Sequence, residues 1–103
     1  MMRSRIDAIS ERLVEHVARS AAGISVSLEK ISYIVGGRRA QHIYDIIGSL
    51  GKRVTLVHSN GALYCGLCRK GPFTRRGLYL HLVRRHRYDI KQLIMNEITT
   101  DNT

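Results

Sequence analysis

Two cysteines and two histidines in the second half of the chain are spaced as ligands of a single metal ion. Two residues separate Cys65 from Cys68, twelve separate Cys68 from His81, and four separate His81 from His86. Two thiols at that spacing form a knuckle, and two imidazoles on one face of a following helix complete a tetrahedral set for zinc. Four protein ligands leave no open coordination position, so the spacing predicts one structural Zn²⁺.

Two other interpretations of the cysteines are weaker. A redox-active pair could stand beside two surface histidines by coincidence, and a disulfide between residues this close in sequence would constrain very little of the chain. A structural zinc ion instead contributes about 10–16 kcal/mol of apparent binding energy in isolated zinc-finger peptides. We therefore expect metal removal to unfold this segment first.

Residues 65–86 resemble the C2H2 zinc finger family over 22 of the 103 residues. The family has an apolar residue two positions before the first cysteine, an aromatic residue early in the loop, and a leucine three positions before the first histidine. Leu63, Phe73 and Leu78 match these three roles. Pro72 occupies the usual aromatic position, and Phe73 follows it one residue late. The resemblance implies a ββα unit around one zinc ion.

The helix of this unit is predicted to begin near Thr74, a good N-cap residue, and to continue through His81 and His86. In the resembled family, the positions that contact successive bases would correspond to Thr74, Gly77 and Leu80. Only Thr74 offers a polar group, so this finger is not expected to read a DNA sequence.

Positive charge is concentrated in one part of the chain. The formal net charge is +9, and residues 52–88 contain nine basic side chains and no acidic one. Such a segment creates a local positive potential that attracts a polyanion, although it could also serve solubility alone. The residues expected to contact nucleic-acid phosphates are Lys52, Arg53, Asn60, Arg69, Lys70, Arg75, Arg76, Arg84, Arg85 and Arg87.

The N-terminal third is predicted to open with a long amphipathic helix. Apolar residues recur every three or four positions from Ile6 to Ala21, and Gly23 should end the helix. Residues 24–26 are short and partly β-branched, which favours a brief strand.

A pair of helices joined by a tight turn is predicted next. Ser27 can cap a helix over Leu28 to about Val35, and Gly36-Gly37 supplies the turn. A further helix is expected over residues 38–49, with Gly51 as its C-terminal stop. Its apolar stripe consists of Ala40, Ile43, Ile47 and Leu50.

A β-hairpin should connect these helices to the cysteines. Residues 54–57 and 62–65 flank Asn60-Gly61, a dipeptide suited to a two-residue turn. Residues 26–64 then resemble a winged helix-turn-helix, with the hairpin as the wing. The predicted fold is α+β: a winged helix-turn-helix over residues 1–64, continuous with a zinc finger over 63–87. Because the second strand enters the knuckle without a linker, the two should form one cooperative unit.

The helix-turn-helix resemblance implies which side chains read DNA. In that family the second helix of the motif enters the major groove and its exposed N-terminal residues reach the bases. The matching residues are Arg38, Arg39, Gln41 and His42. Arginine can pair with guanine and glutamine with adenine.

A final amphipathic helix is predicted over residues 88–98, followed by a frayed tail over 99–103. Its apolar stripe consists of Ile90, Leu93, Ile94 and Ile98. This stripe can pack on the first helix of the same chain, or it can pair with a second copy in a homodimer. The sequence leaves both alternatives open.

The expected function is that of a sequence-specific double-stranded DNA-binding regulator of transcription. The alternatives are a protein-interaction module that uses the finger and the last helix, and an RNA-binding protein. No nucleophile–base pair, carboxylate pair or phosphate loop is present, so enzymatic activity and a small-molecule substrate are not expected. No apolar run predicts a membrane span or a signal peptide. We therefore expect an intracellular protein, and its composition resembles that of archaeal and archaeal-virus regulators; a eukaryotic source would place it in the nucleus.

Overall fold

A computed structural model of the protein describes the backbone of residues 5–101 and the side chains of residues 5–99. Over these residues the chain is α+β, with five helices and one two-stranded antiparallel sheet. The elements are α1 (Arg5–Ala21), α2 (Leu28–Val35), α3 (Gly37–Arg53), β1 (Thr55–Val57), β2 (Leu63–Cys65), α4 (Arg75–Arg85) and α5 (Arg87–Asp101). In this part of the chain, no helix combines the length and the apolar character required to cross a membrane.

The first helix is the centre of the hydrophobic core. It contacts α3, α4 and α5 more extensively than it contacts α2. Leu13 and Val17, from the predicted stripe, are completely buried, but so are Val14 and Ala18. A helix packed against several neighbours buries more than one face, which explains the wider apolar surface.

The predicted pair of helices and its tight turn are confirmed. The Ser27 hydroxyl accepts a hydrogen bond from the Lys30 backbone N–H at 3.2 Å, so it caps α2 as expected. Gly36 has φ +89° and its N–H donates to the Ser32 carbonyl at 2.8 Å. Because L side chains rarely adopt that φ, glycine is the natural residue at this turn. The next helix begins immediately at Gly37.

The third helix is longer than predicted, because Gly51 does not end it. The helix continues to Arg53, and the N–H of its C-cap residue Val54 donates to the Leu50 carbonyl at 3.2 Å. Gly51 is instead buried where α3 crosses α1, close to Ser20 and Ala21. Glycine is required there by the close approach of two backbones.

The strand predicted over residues 24–26 is wrong. These residues form a loop in which the Arg19 side chain Nε–H donates to the Ser25 carbonyl at 2.9 Å. These residues cannot pair with β2, because both of its edges are occupied. One edge pairs with β1, and on the other edge Leu63 forms a β-bridge with Phe73. A short β-branched run without a pairing partner stays irregular.

The hairpin forms, with shorter strands and a longer loop than predicted. Its register pairs Thr55 with Cys65 and Val57 with Leu63. The His58 N–H donates to the Ala62 carbonyl at 3.0 Å, so three residues rather than two form the loop. Gly61 has φ +86°, which suits the left-handed position of a three-residue loop.

The last helix packs on its own chain. Ile90, Ile94 and Ile98 are at most 7% exposed, and Leu93 packs against the same core. Lys91 Nζ lies 3.0 Å from an Asp7 carboxylate oxygen, which ties α5 to α1. The structure therefore shows the intramolecular alternative for this stripe. The helix extends to Asp101, beyond the predicted end at residue 98; residues 102 and 103 of the predicted tail lie outside the described residues.

Two glycines of α3 provide a matched test of the α1–α3 packing. In Gly51→Ala the new Cβ would lie 2.5 Å from Ser20 Oγ and 2.9 Å from the Ala21 backbone nitrogen. We expect the free energy of unfolding to fall by about 1–3 kcal/mol in urea denaturation, as in other overpacked cores. Gly48→Ala is the control, since nothing lies within 4 Å of its added Cβ. This second variant should gain about 0.5–1 kcal/mol through helix propensity. Equal effects at both positions would contradict the packing argument.

Burial of His16 on α1 predicts a pH-dependent stability. Desolvation lowers the pKa of His16 below its usual value; Glu15 opposes this, and Arg19 and Lys30 lower the pKa further. Below about pH 6.5 the unfolded chain therefore takes up a proton that folded His16 resists. Stability should fall as the pH drops through this range, until the folded side chain also protonates. His16→Gln should lose less stability than the parent protein between pH 7 and pH 5 in thermal denaturation. Parallel curves would contradict this assignment.

Candidate metal centre and basic surface

The cysteine knuckle is built onto the end of the hairpin. Cys65 is the last residue of β2 and is completely buried. The Leu67 N–H points to Cys65 Sγ at 3.4 Å, and the Arg69 N–H donates to the Cys65 carbonyl at 2.8 Å. The Gly66 N–H donates to the Val54 carbonyl at 2.9 Å, at the end of α3. The knuckle is thus attached directly to the helical part of the chain.

The four predicted ligands come together. One ligand atom from each of Cys65, Cys68, His81 and His86 lies within 4.8 Å of all the others. Cys68 Sγ and His81 Nε2 are 3.3 Å apart. Metal–ligand bonds of 2.0–2.3 Å in a tetrahedron place ligand atoms about 3.3–3.8 Å apart. The cluster can therefore hold one metal ion after a small contraction.

The position of His86 differs from the prediction. It does not belong to the helix that carries His81, because α4 ends at Arg85 and His86 adopts φ −126°, ψ 21° before α5 begins. Residues five positions apart on a continuous α-helix point about 140° away from each other. The break in the helix therefore turns the His86 ring back towards His81, and the two ring centroids lie 5.0 Å apart.

Asp89 is a functional residue that the sequence reasoning missed. His86 Nδ1 lies 3.4 Å from Asp89 Oδ2, while His86 Nε2 is buried without a hydrogen-bond partner among the described residues. A carboxylate on one ring nitrogen holds the other nitrogen towards a metal. A carboxylate three residues after the last histidine, in the first turn of the next helix, is the signal that would have identified it.

The electrostatic environment favours the deprotonated form of two of the four residues, His81 and Cys68. Desolvation, followed by the positive fields of His86, Lys70 and Arg85, lowers the pKa of His81 and keeps its ring neutral. Slight burial acts to raise the pKa of Cys68, but the Lys70 N–H and His86 outweigh it and the pKa is lowered. Burial raises the pKa of Cys65. A cation at the centre would offset this last effect.

Hydrophobic side chains hold the metal-binding helix in place. Leu78 and Leu82 are completely buried in the same core as α1. The ring of Phe73 lies 4.7 Å from the ring of His81, and its N–H donates to the Leu63 carbonyl at 2.7 Å. Leu63, Phe73 and Leu78 therefore occupy the supporting positions that the sequence predicted for them.

The predicted phosphate-contacting residues separate into two groups. Arg53 pairs with Glu97 at 3.3 Å and Arg87 pairs with Glu11 at 3.3 Å, so these two cations connect parts of the fold. The Asn60 side chain accepts a hydrogen bond from the Ala62 N–H at 3.0 Å and shapes the hairpin loop. The other seven cations of the set, which are exposed as Arg53 is, are Lys52, Arg69, Lys70, Arg75, Arg76, Arg84 and Arg85.

Lys52 and Arg75 line one groove, although they belong to different helices. The groove has a volume of about 550 Å³ and lies between the C-terminal end of α1, the hairpin and the start of α4. The Arg75 guanidinium lies beside Gly23, which has no side chain to displace it. Cations from the helical part and from the finger are thereby brought to the same surface.

The residues predicted to read DNA bases lie at the start of α3 and are exposed. They are Arg38, Arg39, Gln41 and His42. The amide of Gln41 donates to Asp45 Oδ1 at 3.0 Å within the helix, and Arg39 borders a small apolar cavity beside Ile43. These contacts orient the side chains at the helix surface.

No family model, curated protein or solved structure matches this chain.

Asp89→Asn tests the arrangement at the metal centre. The substitution weakens the acceptor for His86 Nδ1–H, so affinity for Zn²⁺ should fall by about 10- to 100-fold in competition with a chromophoric chelator. Asp45→Asn makes the same change away from the four ligands and should leave the affinity unchanged. If Asp89→Asn binds zinc as tightly as the parent protein, Asp89 does not orient His86 for metal binding.

Proposed function

We propose that this protein is a non-enzymatic, sequence-specific binder of double-stranded DNA that regulates transcription. In this proposal α2 and α3 act as a helix-turn-helix and the β1–β2 hairpin acts as the wing. The supporting observation is the exposed cluster of Arg38, Arg39, Gln41 and His42 in the first turns of α3, directly after the tight turn from α2. This is where a recognition helix carries its base-contacting residues.

The chemistry of these side chains fits direct readout of bases. A guanidinium can donate two parallel hydrogen bonds to guanine, and a glutamine amide can pair with adenine. The hydrogen bond to Asp45 holds the Gln41 amide in one orientation. On binding DNA, the amide would exchange Asp45 for a base edge. Arg38 is the clearest candidate for a bidentate contact, because it is exposed and lies next to the turn.

We propose zinc as the metal of the Cys65, Cys68, His81 and His86 cluster. Two thiolates and two imidazoles in a tetrahedral arrangement favour Zn²⁺ over harder cations such as Mg²⁺ or Ca²⁺. Four protein ligands complete the coordination, which assigns the ion a structural role. The complete burial of Leu78 and Leu82 in the common core makes the finger a brace for the helical part.

The outer surface of the finger is proposed to clamp DNA phosphates. Thr74 Oγ1 accepts the Gly77 N–H at 2.9 Å as a helix cap, and Leu80 is partly buried, so this helix offers little for base recognition. Apart from Arg53, which pairs with Glu97, seven exposed cations from Lys52 to Arg85 remain available, and Lys52 and Arg75 share one groove. Phosphate contacts determine register and orientation without conveying sequence.

The alternative of a protein-interaction module receives less support. This alternative places the partner on the finger helix or on the last helix, and their apolar residues Ile90, Ile94, Leu78 and Leu82 are all at most 1% exposed. Among the described residues of these two helices, Tyr88 is the one exposed large apolar side chain, whereas the finger helix also exposes several arginines, which favours a polyanion.

A gel-shift series with two matched arginine variants tests the division of roles. Arg38→Ala should cost about 1–3 kcal/mol on the selected duplex and relax preference at one base position. Arg76→Ala, also exposed in the first turn of a helix, should weaken binding to all duplexes alike and reduce the salt slope by about 1. For the parent protein, six or more phosphate contacts predict about a thousandfold loss of affinity or more from 50 to 200 mM salt.

RNA duplex and single strands belong in the same series as competitors. If RNA duplex or a single strand binds more tightly than duplex DNA, that nucleic acid is the partner and double-stranded DNA is not. No shift with any nucleic acid at low salt would overturn the proposed function. Circular dichroism of each variant, recorded with zinc bound, separates a lost contact from a lost fold.

A further inference from the structure

A polar cavity of about 240 Å³ lies where α1, the α1–α2 loop, α2 and α4 meet. Its polar lining includes His16, Arg19, Ser25, Ser27, Lys30 and Tyr79. None of these side chains is a metal ligand or a base-reading residue in the proposed function. The cavity therefore needs its own explanation.

His16 is the most buried member of this lining. His16 is only 9% exposed. The Nδ1 atom of its imidazole has no hydrogen-bond partner among the described residues. Buried polar atoms in folded proteins nearly always have a partner. The imidazole lines the cavity and has unused hydrogen-bonding capacity that a ligand in this space could satisfy.

Two cations face the same space. The Arg19 Nε–H donates to the Ser25 carbonyl at 2.9 Å, which holds the guanidinium against the loop. In the part of the chain that the structure describes, neither Arg19 nor Lys30 takes part in an ion pair. Glu15 is the only acidic residue of the lining and is exposed. The cavity is therefore cationic on balance.

Hydroxyl donors complete the site. Ser27 Oγ already accepts the Lys30 N–H, so its own hydrogen is available to a ligand. Ser25 and the phenol of Tyr79 line the cavity from the loop and from α4. Donors that come from several directions suit an anion with several acceptor oxygens.

We propose that this cavity binds a phosphate-class oxyanion. Arg19 and Lys30 supply the balancing charge, and His16, the two serines and Tyr79 supply hydrogen bonds. The bound anion would touch α1, α2 and the finger helix α4 together, and so would join the finger to the first helix of the predicted helix-turn-helix. Its source is either free phosphate or a phosphodiester of a nucleic acid, and both share this chemistry.

Inorganic phosphate is the probe for the first test. Titration into the zinc-loaded protein should give saturable amide shifts confined to residues 16–30 and Tyr79 in ¹H–¹⁵N spectra. Lys30→Gln should weaken the affinity by about tenfold or more, as expected for a lost charge-assisted hydrogen bond. Arg12→Gln removes the same charge from an exposed position of α1 outside the lining and should leave the affinity unchanged.

The His16 ring provides a second readout. Its pKa is lowered by desolvation and by Arg19 and Lys30, whereas Glu15 acts in the opposite direction; from α4 the neighbouring group is the Tyr79 phenol. A bound anion offsets the two cations, so the His16 resonances should titrate at higher pH in phosphate than in chloride of equal ionic strength. The resonances of His42, outside the cavity, serve as the control.

The second test separates the two sources with the same variants and duplex DNA. If Lys30→Gln weakens both phosphate and DNA binding, and phosphate competes with DNA, the oxyanion is a backbone phosphate. If only phosphate binding weakens, the ligand is a free phosphate group, and this result holds even if the protein binds no DNA. Shifts that do not saturate, that spread over the basic residues 69–85, or that are equal in Lys30→Gln and Arg12→Gln would overturn the proposal. Unchanged circular dichroism confirms that the variants fold.

Discussion

The helix that brings His81 to the Cys65, Cys68 and His86 cluster also contributes to the core of the described chain. Leu78 and Leu82 are completely excluded from solvent and pack in the same cluster as Leu13 and Val17 of α1. A single position of α4 therefore brings His81 to the other three residues of the cluster and also buries its two leucines in the core. Because a metal ion at this cluster and the hydrophobic core would each stabilise that placement, metal binding would be coupled to folding through it. A chain of 103 residues has a small core, and such a staple matters most at that size.

Close backbone contacts make the connection between finger and helical part rigid. A Cβ added at Gly66 would lie 2.7 Å from the carbonyl carbon of Val54, and one at Gly51 would meet α1. Both glycines allow backbones to approach where a side chain would separate them. The knuckle is consequently held against the end of α3, and the finger is part of the same folded unit as the helices.

The basic residues serve two purposes in this structure. Arg53, Arg87 and Lys91 pair with acids of distant segments and hold α3, α5 and α1 together. Such partly exposed pairs contribute little stability individually, about 0–1 kcal/mol. The Arg53 and Arg87 side chains stay at the surface, 54% and 39% exposed, but their charges are partly neutralised by the paired acids. The remaining cations of residues 52–88 are exposed on the finger and beside the hairpin. Net charge alone does not distinguish the two groups, since the acids that neutralise the first group come from outside the basic segment.

Local chemistry in the sequence was sufficient to predict the cluster of Cys65, Cys68, His81 and His86, the caps Ser27 and Thr74, the helix pair around Gly36-Gly37 and the presence of a hairpin. Each depends on residues that are near in sequence and on a specific side-chain or backbone preference. Tertiary structure decided the features that depend on distant neighbours. Gly51 continues a helix because α1 lies against it. Residues 24–26 form a loop because β2 already has partners on both sides. The apolar stripe of α5 is buried because it packs against α1. The cavity around His16 likewise arises only where four separate segments meet. No periodicity along the chain encodes such a meeting, because packing between distant segments is determined by shape and burial, not by spacing.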